Sequence, residues 1–453
     1  MNTESNRAVL DRRTALGGLL GVAGTSMVAC VDGSNDVPAP SRAPTPGTGA
    51  AERATGPSSA STCPPADGGR VATGAERLAD GDWAEIAGER VGVLTNHTGV
   101  LPGLVHEVDA MAETDEFELV TVFGPEHGFR GAAGAEAPEA GFTDPKTGLE
   151  VRNIYLSSSD EQAQLFEDTG VETVVFDIQD IGTRFYTFIW QLFDAMVAAA
   201  QANVRFVVLD RPNPLGGQPA SGPVLDPELA SFVGREPIAL RHGMTVGELA
   251  QLFNGEFIPE RAGRGVELTV VEMTGWERSM SFEQTGLDTW VLPSPNMPTV
   301  DTAYVYPGIG LLEGTNLSEG RGTTRPFELI GAPWASHDWG TALRDLELPG
   351  VVFRDSYIKP TFSKYEGQVC TGVEIRVQDR ESFDPIATGV AVLVTAWDLY
   401  EQTEFTSGLD RLAGTTAVRT MIESGASVDE IIASWESGLA DFETLRQQYL
   451  LYE

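Results

Sequence analysis

Residues 171–180, VETVVFDIQD, and residues 204–214, VRFVVLDRPNP, are two apolar runs rich in β-branched side chains, and each ends in polar residues. Between them, residues 185–202, FYTFIWQLFDAMVAAAQA, carry apolar side chains at helical spacing. Continuous apolar runs of this kind are typical of strands that are buried on both faces. A strand, a helix and a second strand in this order predict a βαβ unit, and therefore a parallel sheet covered by helices.

Two earlier runs repeat the pattern of these strands: RVGVLTN at residues 90–96 and ELVTVFGPEHG at residues 118–128. Polar side chains follow each of the four predicted strands. They are Asn96 with His97, Glu126 with His127, Asp177 with Gln179 and Asp180, and Asp210 with Arg211. Because ligands in open α/β sheets bind outside the carboxyl ends of the strands, the four clusters are expected to face one crevice.

The remaining chain contains further helix and strand signals. Thr245 and Glu248 have the spacing of a capping box, which predicts that a helix starts there. Beyond residue 298 the composition changes. We expect a helix-like segment at 306–316, strands around 350–378, and helices near 389–402 and 427–448.

These signals predict an α/β protein with two domains. At 453 residues the chain exceeds the size at which a single core usually divides. We predict a first domain with a mostly parallel sheet at residues 70–298. A smaller α+β domain follows at residues 299–453.

The charge balance limits the partners of the chain. It contains 30 Lys and Arg residues against 66 Asp and Glu residues, a formal net charge of −36, and its only lysines are Lys146, Lys359 and Lys364. A nucleic acid needs a positive surface, so we expect no nucleic-acid partner. An acidic surface with few lysines is typical of adaptation to high salt, in which self-repulsion is screened. A simply acidic secreted protein is the alternative.

The N-terminal residues have the features of an export signal. Arg12 and Arg13 precede a short apolar run that ends in MVAC at residues 27–30, too short to span a bilayer. The paired arginines resemble a twin-arginine signal. We predict a lipoprotein-type signal peptide at residues 1–29, lipid attachment at Cys30, and a disordered tether at residues 30–69. The protein would then be extracytoplasmic and reach the membrane only through its lipid. Ordinary cleavage, with no role for Cys30, is the alternative.

Glu126 has the sequence context of a catalytic carboxyl. It follows a predicted strand in GPEHGFRG, beside two glycines that let the backbone approach a ligand closely. A carboxyl at a strand end is well placed to act as a general acid or base. An ion pair between Glu126 and Arg130 is the alternative.

The stretch FDIQDIGTRFYTF holds Asp177 and Asp180, three positions apart. Together with His97 and His127 they outline a metal site, but the spacing matches no strong metal motif, so no metal and no cofactor is predicted. An ion pair between one of these aspartates and Arg184 is the alternative. The chain has no G-x-S-x-G, no P-loop and no G-x-G-x-x-G after the first strand, which argues against the usual serine hydrolases, NTPases and dinucleotide-binding proteins.

Three polar stretches remain. EGTNLSEGRGTTRPF, residues 313–327, concentrates hydrogen-bonding side chains in fifteen positions with almost nothing apolar. Ordinary turn residues would explain this stretch as a surface loop. Two Pro-rich turns, DRPNP and PSPNMPT, carry Asn213 and Asn296, and proline fixes their backbone. Such turns either hold an amide toward a sugar or only stiffen a loop.

Seven motifs occur in one order along residues 90–335: TNHTG, GPEHGFRG, DIQDIGTRFYTF, LDRPNP, RHGMTVGELA, PSPNMPT and YPGIGLLEGTNLSEGRGTTRPFELIGAPW. Together they resemble the NamZ family of exo-β-N-acetylmuramidases, and KPTFSKYEGQVCTGVEI extends the likeness to about residue 375. The resemblance implies a glycosidase that releases β-1,4-linked N-acetylmuramic acid (MurNAc) from the non-reducing ends of peptidoglycan fragments. It also implies that the domain at residues 70–298 is a Rossmann-like catalytic domain, and that the active site lies in the cleft between it and the smaller domain. The chain departs from the family at residues 153–158, NIYLSS, where SLYG is common.

The resemblance makes Glu126 the candidate catalytic acid or base. Glycoside hydrolysis ordinarily uses two carboxyl groups, and the candidates for the second are, in falling order, Glu319, Asp177 and Asp180. Participation of the substrate's own acetamido group is the alternative. Because a muramide presents hydroxyls and a lactyl carboxylate, Arg321 or Arg325 is expected to bind the carboxylate. Substrate contacts are predicted for Asn96, His127, Arg130, Arg184, Tyr186, Asn296, Glu313, Asn316, Arg321 and Arg325.

Two other classes of function remain open from the sequence. A non-catalytic lipoprotein that captures cell-wall fragments would keep a polar pocket without needing a catalytic carboxyl. A metal-dependent hydrolase of another class is disfavoured by the weak ligand spacing. The predicted partners are peptidoglycan glycans of alternating MurNAc and N-acetylglucosamine (GlcNAc), and the oligomeric state is left open.

Overall fold

The computed structural model of the protein describes residues 69–132 and 140–453. The predicted signal peptide, the lipidation site Cys30 and the predicted tether up to residue 68 lie outside the described residues. The described chain from residue 69 onward belongs to one compact unit. Nowhere in the two described ranges is a helix both long and apolar enough to cross a membrane.

In these ranges the strands are β1 (Arg90–Thr95), β2 (Val100–Leu101), β3 (Val105–His106), β4 (Glu118–Gly124), β5 (Phe142–Thr143), β6 (Glu150–Asn153), β7 (Thr173–Asp177), β8 (Arg205–Leu209), β9 (Ser221–Val224), β10 (Ala239–Arg241), β11 (Leu268–Val271), β12 (Leu329–Ala332), β13 (Val351–Ile358) and β14 (Cys370–Val377). The α-helices are α1 (Gly74–Asp80), α2 (Glu107–Met111), α3 (Ser159–Thr169), α4 (Phe188–Ala202), α5 (Val246–Glu256), α6 (Ile258–Ala262), α7 (Val300–Ile309), α8 (Asp338–Asp345), α9 (Pro385–Leu399), α10 (Ser407–Ala413), α11 (Ala417–Glu423), α12 (Val428–Ala433) and α13 (Glu436–Arg446).

The main sheet has seven strands in the order β11-β8-β7-β1-β4-β6-β5, and every pair is parallel except the edge pair β5–β6. Every residue of β7 is buried. Val174 and Phe176 of β7 join one hydrophobic cluster with α4 and α5, whereas Val175 joins a second cluster with α1 and α2. The sheet is therefore covered on both faces, and the four strands predicted from apolar runs are confirmed.

The helix between β7 and β8 is α4, which begins at Phe188, three residues later than predicted. The preceding residues form a loop in which the backbone N–H of Tyr186 donates to the carbonyl of Thr183 at 2.9 Å. The indole of Trp190 donates to the carbonyl of Arg184 at 2.7 Å and ties this loop to the helix. The polar loop after β7 is thereby fixed at the end of the sheet where the active site was predicted.

The capping box predicted from Thr245 and Glu248 is confirmed at the start of α5. The second half of the chain contains a three-stranded antiparallel sheet in the order β12-β14-β13, against which α8 packs. Its strands β13 and β14 confirm the prediction for residues 350–378. The last predicted helix is divided into α12 and α13, because Ser434 and Trp435 interrupt it.

Helices α7 and α9 approach each other at two glycines. A Cβ atom on Gly308 would lie 1.8 Å from the carbonyl oxygen of Pro385, and one on Gly389 would lie 2.4 Å from that of Gly308. The larger hydrophobic cluster contains residues of both the main sheet and the second half. The α/β fold, a mostly parallel sheet followed by a smaller domain, is confirmed. The predicted domain bounds at residues 298 and 299 stay a prediction.

Candidate active site

The turn after β4 places the carboxyl group of Glu126 at the carboxyl end of the main sheet. His127 has a φ of 67° and Gly128 a φ of 75°, so the chain reverses directly after Glu126. Oε1 of Glu126 accepts a hydrogen bond from the Tyr155 hydroxyl at 3.1 Å, and Oε2 accepts one from the Thr187 hydroxyl at 2.7 Å. Since Tyr155 follows β6 and Thr187 precedes α4, two separate elements fix the orientation of this carboxyl.

A layer of aromatic rings connects Glu126 with the polar loop at residues 313–327. The rings of Tyr186 and Tyr306 meet edge to face with their centroids 5.8 Å apart, and Tyr306 packs on Phe327 at 4.6 Å. The guanidinium of Arg321 lies 5.2 Å from the centroid of Phe327. Burial raises the pKa of both tyrosine hydroxyls, and the negative charge of Glu126 acts in the same direction on both. We call Tyr186, Tyr306 and Phe327 the tyrosine layer.

The polar loop carries a charge network beside the tyrosine layer. Arg321 donates from Nε to Oε1 of Glu313 at 2.7 Å, and its Nη2 lies 2.5 Å from the same oxygen. Glu319, whose side chain is 2% exposed, lies 3.6 Å from Arg321 through Oε1 and 3.0 Å from Nζ of Lys364 through Oε2. Burial raises the pKa of Glu313, while the charge of Arg321 opposes that rise. Two carboxylates and two cations therefore balance one another here.

Asp180 lies in the loop after β7 and is 4% exposed. Its Oδ2 accepts a hydrogen bond from the backbone N–H of Gly182 at 2.6 Å and lies 3.2 Å from Nε2 of His242. Its Oδ1 has no hydrogen-bond partner within the described part of the chain. The backbone N–H of Met244 donates to Nδ1 of His242, so the imidazole proton is on Nε2, which makes no hydrogen bond within the described part of the chain. After burial, the charge of Asp180 is the next cause that raises the pKa of Tyr186.

Asp177 belongs to a separate, closed cluster. It is fully buried, and its two oxygens pair with Nε and Nη2 of Arg211. Glu107, at the start of α2, lies in the same cluster and is also fully buried. Burial, together with the charge of Asp177, raises the pKa of Glu107 well above its usual range. The cluster joins the ends of β7 and β8 to α2 and leaves no oxygen of Asp177 open to a substrate.

Two family models match this chain. One, described as the N-terminal part of exo-β-N-acetylmuramidase NamZ, matches residues 91–301, and one described as its C-terminal part matches residues 304–452. The chain belongs to the NamZ family. A relative from Bacillus subtilis, the peptidoglycan β-N-acetylmuramidase NamZ, is 48% identical over 387 residues, which cover 84% of this chain and 92% of that protein.

Solved structures also resemble the NamZ chain described here. Two DUF1343 family proteins from Bacteroides fragilis are 33% and 32% identical to it, with TM-scores of 0.78 and 0.69. Each match covers 85% of this chain and 99% of the solved chain. The similarity therefore extends over both halves of the fold.

Several residues predicted from the sequence lie together in this NamZ structure. Glu126, Tyr186, Glu313 and Arg321 meet through the tyrosine layer, and Glu319 extends the charge network behind them. Asp180 acts electrostatically on the same tyrosine as Glu126. His127 is buried in the turn that carries Glu126. Whether each of these side chains contacts substrate stays a prediction.

Arg184 and Arg130 have other partners. Arg184 is fully buried and donates to the carbonyls of Pro223, Ile238 and Leu412, and burial lowers its pKa to about 9. It therefore fastens three backbone segments and does not reach the tyrosine layer. Arg130 pairs at 2.7 Å with Asp109 and with Asp144, so the alternative ion pair with Glu126 is not formed.

Asn316 and Arg325 belong to the polar loop but face elsewhere. The side-chain amide of Asn316 donates to the carbonyl of Gln402 at 2.7 Å and accepts from the backbone N–H of Glu404 at 3.0 Å. Arg325 pairs with Glu328, and its Nη1 lies 3.4 Å from Glu374. Both side chains hold the loop in place, which leaves Arg321 as the arginine of this loop beside the tyrosine layer.

Asn96 and Asn296 occupy two further loops. Asn96 is fully buried, and its Oδ1 accepts from the backbone N–H and the hydroxyl of Thr98. Its Nδ2 has no hydrogen-bond partner among the residues that the structure describes. Asn296 is half-buried in a turn closed by the backbone N–H of Met297 and the carbonyl of Ser294 at 2.9 Å.

A cavity of about 330 Å³ opens beside Glu126. It lies between α3, α4 and the loop that joins β9 to β10, and its wall includes Tyr155, Thr187, Phe188, Phe232 and Arg235. No residue of the tyrosine layer lines it. Glu126 therefore borders two different surroundings, the tyrosine layer and this cavity.

Sequence reasoning missed several residues of the site. Tyr155 and Thr187, which hold Glu126, lie far from it in sequence, and Tyr155 belongs to the divergent stretch NIYLSS. Lys364 lies within KPTFSKYEGQVCTGVEI, a stretch that resembles the family but did not indicate a role for this lysine. The motif RHGMTVGELA, which carries His242, gave no indication that this imidazole lies beside Asp180. Only tertiary structure brings these side chains to Glu126, Glu319 and Asp180.

Across residues 69–132 and 140–453, no group of three or more His, Cys, Asp and Glu side chains is arranged to hold a metal ion.

Proposed function

We propose that this protein is an exo-acting β-N-acetylmuramidase that hydrolyses the β-1,4 bond of a MurNAc residue at the non-reducing end of a peptidoglycan fragment. The observation that carries this proposal is the carboxyl of Glu126, held by two hydroxyls at the carboxyl end of the sheet within a NamZ fold. The B. subtilis relative is named as a peptidoglycan β-N-acetylmuramidase. A non-catalytic binding lipoprotein is therefore not favoured.

Glu126 is the proposed general acid. The hydroxyls of Tyr155 and Thr187 hold both of its oxygens, so the carboxyl is oriented before substrate binds. When Glu126 is protonated, its own O–H becomes a donor that the glycosidic oxygen can accept. Protonation of that oxygen makes the sugar on the reducing-end side of the bond a better leaving group and lowers the barrier to bond cleavage.

Arg321 is the proposed partner of the lactyl carboxylate of MurNAc. Its side chain is 24% exposed, and its position over Phe327 brings it to the tyrosine layer beside Glu126. A guanidinium has five N–H donors in a planar fork, so the pairing with Glu313 leaves donors for a second carboxylate. Arg325 is disfavoured for this role because Glu328 and Glu374 hold it elsewhere.

Asp180 is the proposed second carboxyl group. Asp177 is held by Arg211 and Glu319 by Lys364, so each has a cation as its partner. Asp180 instead has one oxygen that accepts from the backbone N–H of Gly182 and lies 3.2 Å from Nε2 of His242, and one oxygen without a hydrogen-bond partner among the described residues. That second oxygen is the group we assign to activating water or stabilising the developing positive charge on the sugar.

The test of this function is a digest of a tetrasaccharide, MurNAc-GlcNAc-MurNAc-GlcNAc, analysed by mass at early times, with and without a chelator. An exo-muramidase releases free MurNAc and a trisaccharide first, and the chelator has no effect. Two disaccharides would indicate cleavage after GlcNAc by a glucosaminidase, and free GlcNAc with a trisaccharide that ends in MurNAc would indicate endo cleavage by a muramidase. Loss of activity with the chelator would indicate a metal-dependent hydrolase. A binding protein would give no product at all.

We also propose that the protein is exported and anchored by a lipid at Cys30. The paired arginines Arg12 and Arg13, the short apolar run and MVAC support this, together with a predicted substrate in the cell wall. The acidic, lysine-poor composition supports adaptation to high salt. The change Cys30→Ala is expected to release the protein from membranes on fractionation. A variant that still sediments with membranes as the wild type does would refute the anchor.

A further inference from the structure

We propose that the cavity beside Glu126 and a pocket that continues it bind the two sugars that follow the scissile bond on its reducing-end side. We call these two lobes the aglycone groove. Its walls include Tyr155, Phe232, Asp194, Ser231, Arg235 and Arg261. This inference rests on the proposed function, because it assigns the part of the substrate that remains after MurNAc leaves.

The position of Glu126 is the first reason for this assignment. A general acid must lie within hydrogen-bond distance of the glycosidic oxygen, which joins the terminal MurNAc to the sugar on its reducing-end side. The substrate therefore extends away from Glu126 in two directions. The wall of the first lobe includes Glu126 but neither Arg321 nor any residue of the tyrosine layer, so this lobe can take the part of the substrate that those residues do not bind.

The shape of the groove is the second reason. The first lobe has a volume of about 330 Å³ and the second of about 270 Å³, and they share Asp194 and Arg235 as a common wall. These volumes lie near the lower end of small-molecule sites, about 300–1,000 Å³, so each lobe is of a size for one sugar. An exo-acting enzyme has no substrate beyond the departing sugar on the non-reducing side. A groove that continues therefore suits the reducing side, on which the glycan continues.

The two lobes differ in polarity and charge, and so do the two sugars that alternate along the glycan. In the first lobe, Tyr155 and Phe232 pack edge to face with centroids 5.9 Å apart, and Leu156 is 62% exposed at its edge. Apolar side chains of this kind match the apolar face of a neutral sugar such as GlcNAc. The first lobe is thus assigned to the sugar next to the scissile bond.

The second lobe adds a cation that is well exposed. The side chain of Arg261 is 55% exposed, and Glu236 engages its Nε and Nη2 through one oxygen. Its Nη1 makes no hydrogen bond within the described ranges, which leaves donors for another carboxylate. The next sugar in the glycan is MurNAc, which carries the lactyl carboxylate. Arg261 can pair with that carboxylate through its remaining donors.

The test compares three substrates within each enzyme preparation: 4-nitrophenyl N-acetylmuramide, the disaccharide MurNAc-GlcNAc, and the tetrasaccharide MurNAc-GlcNAc-MurNAc-GlcNAc. The variants are Phe232→Ala and Arg261→Gln, with Phe232→Tyr as the conservative variant that keeps the ring. Phe232→Leu takes the place of Phe232→Ala if the alanine variant does not fold. The control is Arg354→Gln, since Arg354 is also an exposed arginine paired with one glutamate, Glu374.

Ratios of kcat/KM between substrates are the readout, because the folded fraction of a preparation cancels from them. Phe232→Ala is expected to lower kcat/KM about tenfold on both oligosaccharides and less than about twofold on the nitrophenyl substrate, the usual scale for removing a packed aromatic contact. Phe232→Tyr restores the ratio. Arg261→Gln is expected to lower kcat/KM about three- to tenfold on the tetrasaccharide alone, and Arg354→Gln leaves every ratio unchanged.

An equal loss with Phe232→Ala on all three substrates would show that the first lobe does not distinguish the sugar after the scissile bond from a nitrophenyl group, and would overturn the assignment. No loss on any of them would overturn it as well. An effect of Arg261→Gln that is the same for disaccharide and tetrasaccharide, or absent from both, would overturn the assignment of the second lobe. Failure of the proposed function gives a different result, because wild-type protein would then hydrolyse none of the three substrates.

Discussion

The side chain of Arg321 connects two parts of the proposed site, the polar loop and the tyrosine layer. It pairs with Glu313 in the polar loop and lies over Phe327 of the tyrosine layer. We expect Arg321→Ala to raise KM for muramides about 10- to 100-fold, the range for a hydrogen bond to a charged group, with little change in kcat. A contact distant from the scissile bond stabilises the ground state and the transition state alike.

Steady-state kinetics on MurNAc-GlcNAc check this expectation. The matched control is Arg325→Ala in the same loop, which should leave KM near the wild-type value because Arg325 pairs with Glu328 and Glu374. A fall in kcat at unchanged KM for Arg321→Ala would assign Arg321 to the transition state instead.

The buried carboxyl of Glu107 predicts how the stability of the folded protein depends on pH. Burial, together with the charge of Asp177, raises its folded pKa above the unfolded value of about 4.3, so the folded state binds the proton more tightly. Its contribution to stability is fully present below the unfolded pKa. That contribution is lost as the pH rises through the folded pKa.

The change Glu107→Gln removes this titration, because an amide does not ionise. The melting temperature of the variant minus that of the wild type is therefore expected to become more positive between about pH 5 and about pH 9. Thermal melts in a pH series measure the difference. A difference that stays constant over that range would show that Glu107 does not titrate differently in the folded protein.

The sequence predicted the residues of the site where a motif coincided with a strand end. Glu126 follows β4 directly, so its position could be inferred from the apolar run before it. Arg184 could not be placed in this way, since nothing in its motif indicates that it bonds the distant carbonyls of Pro223 and Leu412. The composition of the polar loop likewise did not show that Arg321 reaches the tyrosine layer while Arg325 pairs with Glu328.

At the scale of elements, the crossing of α7 and α9 supports the tyrosine layer, because α7 carries Tyr306. A methyl group on Gly389 would lie 2.4 Å from the backbone of Gly308, which cannot rotate away. We expect Gly389→Ala to lower the free energy of unfolding by about 1–3 kcal/mol, the range for overpacking. Urea unfolding measures this change.

The control for that variant is Gly438→Ala in α13, where an added Cβ would have no heavy atom within 4 Å. It is expected to be neutral or to stabilise the protein by about 0.4–1 kcal/mol, because alanine restricts the unfolded chain. If Gly389→Ala were as stable as Gly438→Ala, the two helices would not be held as close as the structure shows.

The sequence predicted which strands and helices form better than it predicted the residues at which they begin and end. The continuous apolar run of β7 needed only its own residues to indicate a strand with two buried faces. The start of α4 depends on a hydrogen bond that the apolar spacing does not indicate, since the indole of Trp190 bonds to the carbonyl of Arg184 and the preceding loop ends before Phe188. The approach of α7 to α9 depends on glycines that are far apart in sequence.

At the scale of the whole molecule, the net charge of −36 sets the response to salt. Self-repulsion among carboxylates destabilises the compact state, and salt screens it over a Debye length that falls to about 3 Å at 1 M. We expect the melting temperature to rise with potassium chloride up to molar concentrations. The rise should become smaller when the pH is lowered and the carboxylates are protonated. A flat or falling curve at neutral pH would contradict the adaptation to high salt.

Glu126 is proposed to protonate the leaving oxygen, and Glu126→Gln removes that proton because the amide keeps the shape of the carboxyl but is not acidic. We expect kcat on MurNAc-GlcNAc to fall by about 10²–10⁴, and to fall much less on 4-nitrophenyl N-acetylmuramide, whose phenolate leaves without protonation. Glu118→Gln, at the exposed opposite end of β4, is the control and should behave as the wild type. Near wild-type turnover of the disaccharide by Glu126→Gln would contradict the account.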